Sequence, residues 1–301
     1  MSIPDFQSIM LPLLQILGDC QDHVMQEVTK ATADKCQLTE QEMQQMLPSG
    51  QTTVIANRVG WAKTYLKNAG LLVQPNRGVV RITEDGKNAL AENPPRIDMK
   101  YLEKYPAFLA FRSKNITKPG DDKGVQEVPT QTPEELLENG YQTLREALAA
   151  ELLEQLMACS STFFERVVIE LLVAMGYGGS IEDAGKAVGK TADGGIDGRI
   201  KEDRLGLDEI VIQAKRWTGQ VGRPDIQAFV GSMEGFRAKK GVFITTSTFS
   251  QPAWDYVKMI ERRIVLIDGA MLTGLMIDFG IGVTTYRTFV LKRIDSDYFE
   301  E

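Results

Sequence analysis

Three side chains in the second half of this chain have the types and the spacing that phosphodiester chemistry requires. Asp197 lies in the glycine-rich string DGGIDG at residues 193–198, and Gln213 and Lys215 stand two residues apart in the string EIVIQAK. Because side chains at positions i and i+2 of a β-strand leave the same face, Gln213 and Lys215 should point together. A carboxylate, an amide oxygen and an ammonium group on one sheet face suit a divalent metal ion and a phosphate. The pattern therefore predicts a site for a divalent metal ion and a phosphodiester.

Each of these residues also has a simpler interpretation. An aspartate in a glycine turn is more often a turn former than a ligand. The string around Asp197 resembles a calcium loop, but the distal glutamate and the regular spacing of oxygen ligands are missing. Gln213 and Lys215 would mark a half-exposed sheet face if the strand merely alternated. The rest of that strand is Val, Ile and Ala, which gives no local reason for two long polar side chains on one face.

The elements that must position these residues form an α/β pattern. A long helix starts at the cap Thr132 with a proline at its first position, and its buried stripe is predicted to be Leu136, Leu137, Tyr141, Leu144, Leu148, Leu152, Leu153 and Leu156. A second helix, from the cap Ser160 to Gly176, carries Glu165. Strands are predicted at 196–200, 209–215, 241–246 and 263–267, with helices at 224–236, 251–262 and 270–278. This order predicts a mixed sheet, antiparallel at the hairpin and parallel after the crossover.

Composition limits the remaining classes. The chain has 301 residues, a net charge of -7 and 43% hydrophobic residues, which favours two soluble domains and allows a local basic face. Its three cysteines have no CxxC spacing, and its single histidine, His23, argues against imidazole triads and excludes multi-histidine metal sites. The N-terminus lacks a basic flank followed by an apolar core, and no apolar run of about 18 residues occurs. We expect a cytoplasmic protein without a membrane partner.

The first part of the chain has the pattern of a winged helix. Short helices run from residue 4 to about residue 90, and a helix over 57–69, closed by Gly70, carries Arg58, Lys63 and Lys67 on its predicted outer face. Two short strands follow, joined by a turn with Arg77 at its tip. These four basic residues are candidates for DNA phosphate contacts. A solvated helix face beside a structural hairpin is the alternative.

Proline and polar residues separate this part from the α/β part. Residues 92–133 are predicted to be a linker, of which 115–132 is polar and flexible. The aromatic stretch 101–111 should instead pack on one of the domains. The predicted organisation is thus a winged helix domain over 1–91, the linker, and an α/β domain over 134–301.

Several strings of the α/β part resemble the Mrr-type restriction endonucleases of the PD-(D/E)xK superfamily. They are Phe164-Glu165, Met175 to Gly178, Gly194 to Gly198, Gln213 to Arg216, Gly222 to Phe229 and Gly241 to Ser247. The first half is similar to the winged helix domain that precedes the nuclease in that family. The resemblance implies an α/β nuclease domain, with a restriction-endonuclease-like mixed sheet flanked by helices, preceded by an α+β winged helix domain.

The resemblance also implies roles for individual residues. Asp197, the Oε1 atom of Gln213 and the carbonyl of Ala214 would hold Mg²⁺ or Mn²⁺, with Glu165 as a candidate outer acid. Lys215 would position the attacking water and stabilise charge on the phosphate oxygens. Gln227 matches a position that supports the site. The chain departs from the wider superfamily at Gln213, where an acidic ligand is usual, but this substitution is typical of the Mrr branch.

The resulting functional hypothesis is an endonuclease that cuts double-stranded, methylated DNA as a defence against foreign DNA. Cutting both strands needs two active sites, so a homodimer or a higher homo-oligomer is expected. Two alternatives stay open. One is a DNA-binding regulator whose nuclease-like domain only clamps DNA, and the other is a nuclease for branched DNA.

Overall fold

The computed structural model describes residues 3–115, 130–178, 195–203, 207–295 and 298. Asp193, Gly194 and residues 116–129 of the predicted linker lie outside the described residues. The chain divides into two compact units, Met1–Thr143 with Lys292–Glu301, and Leu144–Leu291. None of the helices in the described ranges combines the length and the apolar character that crossing a membrane requires.

The first unit contains seven helices and three short strands among the described residues. The helices are Phe6–Ile16 (α1), Met25–Lys35 (α2), Glu40–Met43 (α3), Val54–Asn68 (α4), Glu84–Ala91 (α5), Met99–Leu102 (α6) and Pro106–Asn115 (α7). The strands are His23–Val24 (β1), Leu72–Val73 (β2) and Val79–Ile82 (β3), which form an antiparallel sheet in the order β1-β3-β2. The order of helices, with a hairpin after α4, is that of the predicted winged helix. Strand β1 was not predicted from the sequence.

Helix α4 is built from local signals and buries one side. Its N-cap Thr53 accepts a hydrogen bond from the Ala56 amide through Oγ1, and Gly70 follows its end with a φ of +82°. The core below it contains Val59, Ala62 and Leu66, which are fully buried against α1 and α2. α4 begins three residues before the predicted segment.

The aromatic stretch 101–111 packs on the first unit. Leu102 and Phe108 are fully buried in its core. The ring of Tyr65 on α4 lies 6.1 Å from the Phe108 ring and 6.3 Å from the Phe111 ring, both in edge-on arrangements. This contact answers which domain the stretch joins, a question that the sequence left open.

The second unit is a mixed sheet between two layers of helices. Its elements, together with the helix that leads into it, are Pro133–Ala158 (α8), Ser161–Ala174 (α9), Gly198–Lys201 (β4), Glu209–Lys215 (β5), Arg223–Gly235 (α10), Lys240–Thr245 (β6), Gln251–Met259 (α11), Arg263–Ile267 (β7) and Gly269–Phe279 (α12). The strand order is β4-β5-β6-β7, antiparallel between β4 and β5 and parallel in the other two pairs. The predicted sheet is confirmed.

The central strand β5 is buried on both sides. Ile210, Ile212 and Ala214 pack into the core that α9 and α12 cover, whereas Val211 packs into the core that contains Phe229 of α10. Strand periodicity therefore places residues 213 and 215 on the same side as Val211. Both neighbours of β5 are hydrogen-bonded to it, which makes the strand a rigid base for polar side chains at its end.

Helix α8 departs from the sequence prediction in its first half. Leu152 and Leu156 are buried, but five members of the predicted stripe are exposed: Leu136, Leu137, Tyr141, Leu144 and Leu148. The prediction of a buried apolar face is therefore wrong for the first half of α8, because no apolar group of the described residues packs against that face. The two compact units divide at residues 143/144, inside α8, and the predicted boundary at 133/134 coincides with the start of α8. That boundary stays a prediction.

Candidate active site

Asp197 is brought beside β5 by the antiparallel pairing of β4. The register sets Gly198 opposite Ile212, and the Asp197 amide donates to the Ile212 carbonyl at 2.9 Å. The Asp197 Oδ2 atom then accepts a hydrogen bond from the Ala214 amide at 2.7 Å. The carboxylate is therefore held at the end of β5, where Gln213 and Lys215 lie.

Gln213 is oriented by the glycine turn. Its side chain is buried, with the residue 6% exposed, and Nε2 donates to the Gly195 carbonyl at 2.5 Å. Gly195 has a φ of +89°, and a Cβ atom there would lie 2.6 Å from Gln213 Nε2. Only glycine lets the turn approach this closely. The bond commits Nε2 to the turn and leaves Oε1 as the acceptor of the amide.

Glu165 joins the site through electrostatics. Burial raises the pKa of the Glu165 carboxyl, the negative charge of Asp197 raises it further, and the ammonium of Lys215 lowers it. Burial likewise raises the pKa of Asp197, against the opposing effects of the Ala214 amide and Lys215. The charges of Asp197 and Lys215 thus both act on the Glu165 carboxyl.

The donor set fits a hard divalent cation. Two partly buried carboxylates with raised pKa values repel each other, and a cation would relieve that repulsion. Within the described residues no group of three or more His, Cys, Asp or Glu side chains could hold a metal, so the amide oxygen of Gln213 would have to supply a further ligand. For Ala214, the contact with Asp197 runs through the amide nitrogen, whereas the resemblance implied a role for its carbonyl.

Lys215 and Gln227 differ in their placement. Lys215 is half-exposed at the end of β5, and its Nζ atom lies 5.9 Å from the centre of the Trp217 ring. Gln227 is exposed on α10, and in the described part of the chain no hydrogen bond joins it to Asp197, Gln213 or Lys215. The described hydrogen bonds and electrostatic effects thus link Asp197, Glu165 and Lys215 at the end of β5, where Gln213 also lies, and none of them involves Gln227.

Among the four candidate DNA-binding residues, Arg58 does not have the exposed position predicted for it. Its Nε atom donates to Glu135 Oε1 at 2.8 Å, Nη2 lies 2.7 Å from the same oxygen, and Nη1 donates to the Ile3 carbonyl at 2.5 Å. The side chains of Arg58 and Glu135 are 18% and 6% exposed. The prediction of an outward Arg58 was wrong because it treated α4 alone, and Glu135 is 77 residues away in the chain.

The other three basic residues lie nearer to the solvent. Lys67 is exposed on the last turn of α4, and Lys63, one turn before it, is half-buried. Burial lowers the pKa of Lys63, and the neighbouring charge of Lys67 lowers it further. Arg77 is exposed at the tip of the hairpin between β2 and β3.

Asn57 and Trp61 were not predicted from the sequence as candidate functional residues. Both side chains donate hydrogen bonds to Glu134, at the start of α8. The only local signal is that Glu134 and Glu135 follow a helix cap, which gives their place in a helix and not their partners.

Comparison with known proteins agrees with both units. A family model described as restriction endonuclease matches residues 156–276, and a model of the Mrr N-terminal domain matches residues 6–92. The type IV methyl-directed restriction enzyme EcoKMrr of Escherichia coli (strain K12) is 37% identical to this chain over 308 residues, which cover 100% of both proteins.

Two solved structures resemble parts of the chain. One is the MspJI restriction endonuclease in complex with a 27-mer oligonucleotide, with 21% identity and a TM-score of 0.28 over 62% of this chain and 41% of that one. The other is the DNA modification-dependent restriction endonuclease AspBHI, with 16% identity and a TM-score of 0.36 over 70% of this chain and 57% of that one.

The family follows from the matches that cover both units, and it agrees with the mixed sheet and with the cluster at the end of β5. The restriction endonuclease model includes α9, β5 and residue 197 directly before β4, which carry this cluster. Restriction endonucleases generally use divalent metal ions, which agrees with the donor set. The chain therefore belongs to the Mrr family of type IV, modification-dependent restriction endonucleases and is a nuclease.

Proposed function

We propose that this nuclease hydrolyses phosphodiester bonds of methylated double-stranded DNA with the help of Mg²⁺ or Mn²⁺, and that it restricts foreign modified DNA. The observation that carries the proposal is the geometry at the end of β5, where the Ala214 amide donates to the Asp197 carboxylate at 2.7 Å beside Gln213 and Lys215. The methylated substrate is proposed from the similarity to the methyl-directed enzyme of Escherichia coli.

In this proposal Asp197, Gln213 and Glu165 hold the cation. When bound, the cation would polarise the scissile phosphate and lower the pKa of a coordinated water. The hydrogen bond from Ala214 fixes the Asp197 carboxylate, and the Gly195 carbonyl fixes the amide of Gln213, so both ligands are oriented in advance. Lys215 stabilises the charge that develops on the phosphate oxygens.

Two substitutions test the active site. Asp197→Asn and Lys215→Met should each reduce Mg²⁺-dependent cleavage of a methylated plasmid by about 100-fold or more, while DNA binding is retained. Asp255→Asn and Lys258→Met are matched controls, because this exposed pair on α11 has the same charges and should leave cleavage unchanged. Full activity in either site variant, or loss of DNA binding together with cleavage, would contradict these site assignments. A wild-type protein that binds the methylated plasmid without cutting it would favour the regulator.

Substrate choice is tested by a panel of plasmids. Adenine-methylated, cytosine-methylated and unmethylated plasmids, and a branched duplex, are digested in parallel with Mg²⁺ and with Mn²⁺. We expect cleavage of at least one methylated plasmid and none of the unmethylated one. Preferential cleavage of the branched duplex would instead support a junction nuclease.

We further propose that Lys63, Lys67 and Arg77 contact DNA phosphates. Lys63 and Lys67 lie one turn apart on α4, and Arg77 projects from the adjacent hairpin. Changing Lys63 and Lys67 together to Gln should weaken binding equally for all sequences and reduce its salt dependence. Lys100→Gln on α6 is a control of the same kind at an exposed lysine.

The exposed apolar residues of α8 support the proposal of a homodimer. Leu137, Tyr141, Leu144 and Leu148 follow one another at intervals of four, three and four residues, which is the spacing of a coiled-coil seam. Leu144→Glu should abolish the dimer in sedimentation and convert double-strand cleavage into nicking. Leu207→Glu, at an exposed loop leucine, should change neither. A monomeric wild-type protein that still cuts both strands would refute this part.

A further inference from the structure

The first turn of α8 is attached to α4 by a set of polar contacts. Glu134 Oε2 accepts hydrogen bonds from Trp61 Nε1 at 2.6 Å and from Asn57 Nδ2. Thr132 Oγ1 donates to Asn57 Oδ1 at 2.6 Å. Both ends of the Asn57 amide are therefore bound by the start of α8.

Two further acids extend this attachment. Glu135 holds Arg58 through Oε1, while its Oε2 atom accepts from the Thr132 amide at 2.7 Å. Glu138 Oε2 accepts from the Ser49 amide at 2.9 Å, in the loop before α4. Three acids within the first six residues of α8 thus contact α4 and its entry loop, all within the first unit.

The place of Asn57 on α4 shows which surface is covered. Asn57 and Leu66 are about two and a half helical turns apart, so they point to opposite sides of α4. Leu66 is fully buried in the core, and a residue opposite it should face the solvent. Asn57 is nevertheless only 9% exposed. The contacts with Thr132 and Glu134 account for its burial.

This covered surface is the one that a winged helix presents to DNA. α4 is the helix that precedes the hairpin, the position of the helix that enters the major groove in this class of motif. An amide N–H, an indole N–H and a guanidinium on this side of α4 all donate to carboxylate oxygens. The same donors bind phosphate oxygens. Phosphate oxygens would therefore compete with these carboxylates for the same three donors, and the negative charge of Glu134 and Glu135 repels DNA.

We propose that the start of α8 is an intramolecular competitor of DNA. Glu134 and Glu135 keep the surface formed by Asn57, Arg58 and Trp61 closed, and duplex DNA has to displace them before these three side chains contact its backbone. This inference rests on the proposed function, since it assigns a regulatory element to the DNA-binding surface of the same nuclease. It also explains how Arg58 can be a DNA ligand although it is paired in the free protein.

Binding of a short methylated duplex, measured in Ca²⁺ without Mg²⁺, tests the competition. E134A/E135A should bind the duplex about tenfold or more tightly than the wild type, because a surface that is closed most of the time lowers the apparent affinity by the open fraction. E151A/E154A is the matched control. It removes two exposed acids from the same helix and should change the affinity by less than about threefold.

Hydrogen exchange on the unaltered protein provides a second measurement that does not depend on how well a variant folds. The amides of Thr132 and Ser49 donate to Glu135 and Glu138 and should be protected in the free protein. They should lose protection when the duplex binds, while the amides of α4 become better protected. Persistent protection of both amides in the complex would overturn the competition.

The possible results separate this inference from the proposed function. Equal affinities of E134A/E135A and E151A/E154A overturn the inference, whether or not the wild type cuts DNA. A wild-type protein that binds the methylated duplex but does not cut it refutes the proposed function alone, because the binding comparison does not require cleavage.

Discussion

Gly195→Ala should disable the active site without removing any side chain that performs chemistry. The new Cβ atom would stand 2.6 Å from Gln213 Nε2, roughly 1 Å short of an ordinary van der Waals contact. The amide would have to move away from the Gly195 carbonyl, to which it now donates at 2.5 Å. A displacement of that size at a catalytic group lowers the rate by about 100-fold. We therefore expect kcat/KM for methylated DNA to fall by about that factor.

The same substitution also costs stability, and a control separates the two effects. Alanine at a φ of +89° costs about 1–2 kcal/mol of backbone strain, and the lost hydrogen bond of the buried amide adds about 1–3 kcal/mol. Gly176 has a φ of +100° and open space around its Cβ position, so Gly176→Ala carries the strain alone.

Chemical denaturation and cleavage kinetics are measured for both variants. Gly176→Ala should be destabilised by the strain alone and should keep most of its activity when folded. Cleavage by folded Gly195→Ala at the level of Gly176→Ala would refute the reasoning that the turn orients Gln213.

Three more outcomes follow from the site and the core. Burial and the charge of Asp197 raise the pKa of Glu165, so as the pH is lowered, cleavage should start to fall above the ordinary carboxylate range near 4. NMR titration of metal-free Asp197→Asn should show a lower pKa for Glu165 than in the wild type. Because the pKa of Asp197 is raised in the folded state, its ionisation destabilises the fold as the pH rises above the pKa of the unfolded chain, and a bound cation would offset this at neutral pH. Mg²⁺ at about 100 times its Kd should stabilise the wild type by about 2.7 kcal/mol. Asp197→Asn should abolish the accompanying rise in Tm. Phe229→Ala should cost about 3–5 kcal/mol because its ring is fully buried 5.5 Å from that of Phe243, whereas Phe163→Ala, at an exposed phenylalanine, should cost far less in the same denaturation assay.

The caps and the strands of the second unit show what local sequence signals can predict. Ser160 caps α9 as predicted, through a hydrogen bond from the Phe163 amide to its Oγ atom, and the predicted strand over 209–215 has the observed bounds of β5. Such signals act within a few residues of one another, so they need no knowledge of the rest of the fold. The spacing of Gln213 and Lys215 is a signal of the same local kind.

The contacts between the site residues could be found only in the tertiary structure. The sequence named Asp197 and Glu165 but contained no information on the hydrogen bond from Ala214 to Asp197 or on the influence of Asp197 on the pKa of Glu165. Both depend on the register of β4 against β5 and on the packing of α9. The family resemblance identified the residues of the site, and the pairing of β4 with β5 determines how close they lie.

Long-range partners are also the reason for the two main corrections. Periodicity alone predicted a buried stripe along α8 and an outward Arg58. Periodicity shows which apolar or basic residues share one face of a helix, but not what packs against that face. The burial of a side is decided by what packs against it, and for Arg58 that partner is a carboxylate 77 residues away. The sequence by itself determined the elements, their order and the residues capable of chemistry. Only the tertiary structure decided which of these charged groups face each other, because Coulomb and hydrogen-bond energies depend on distances in space and not on separation along the chain.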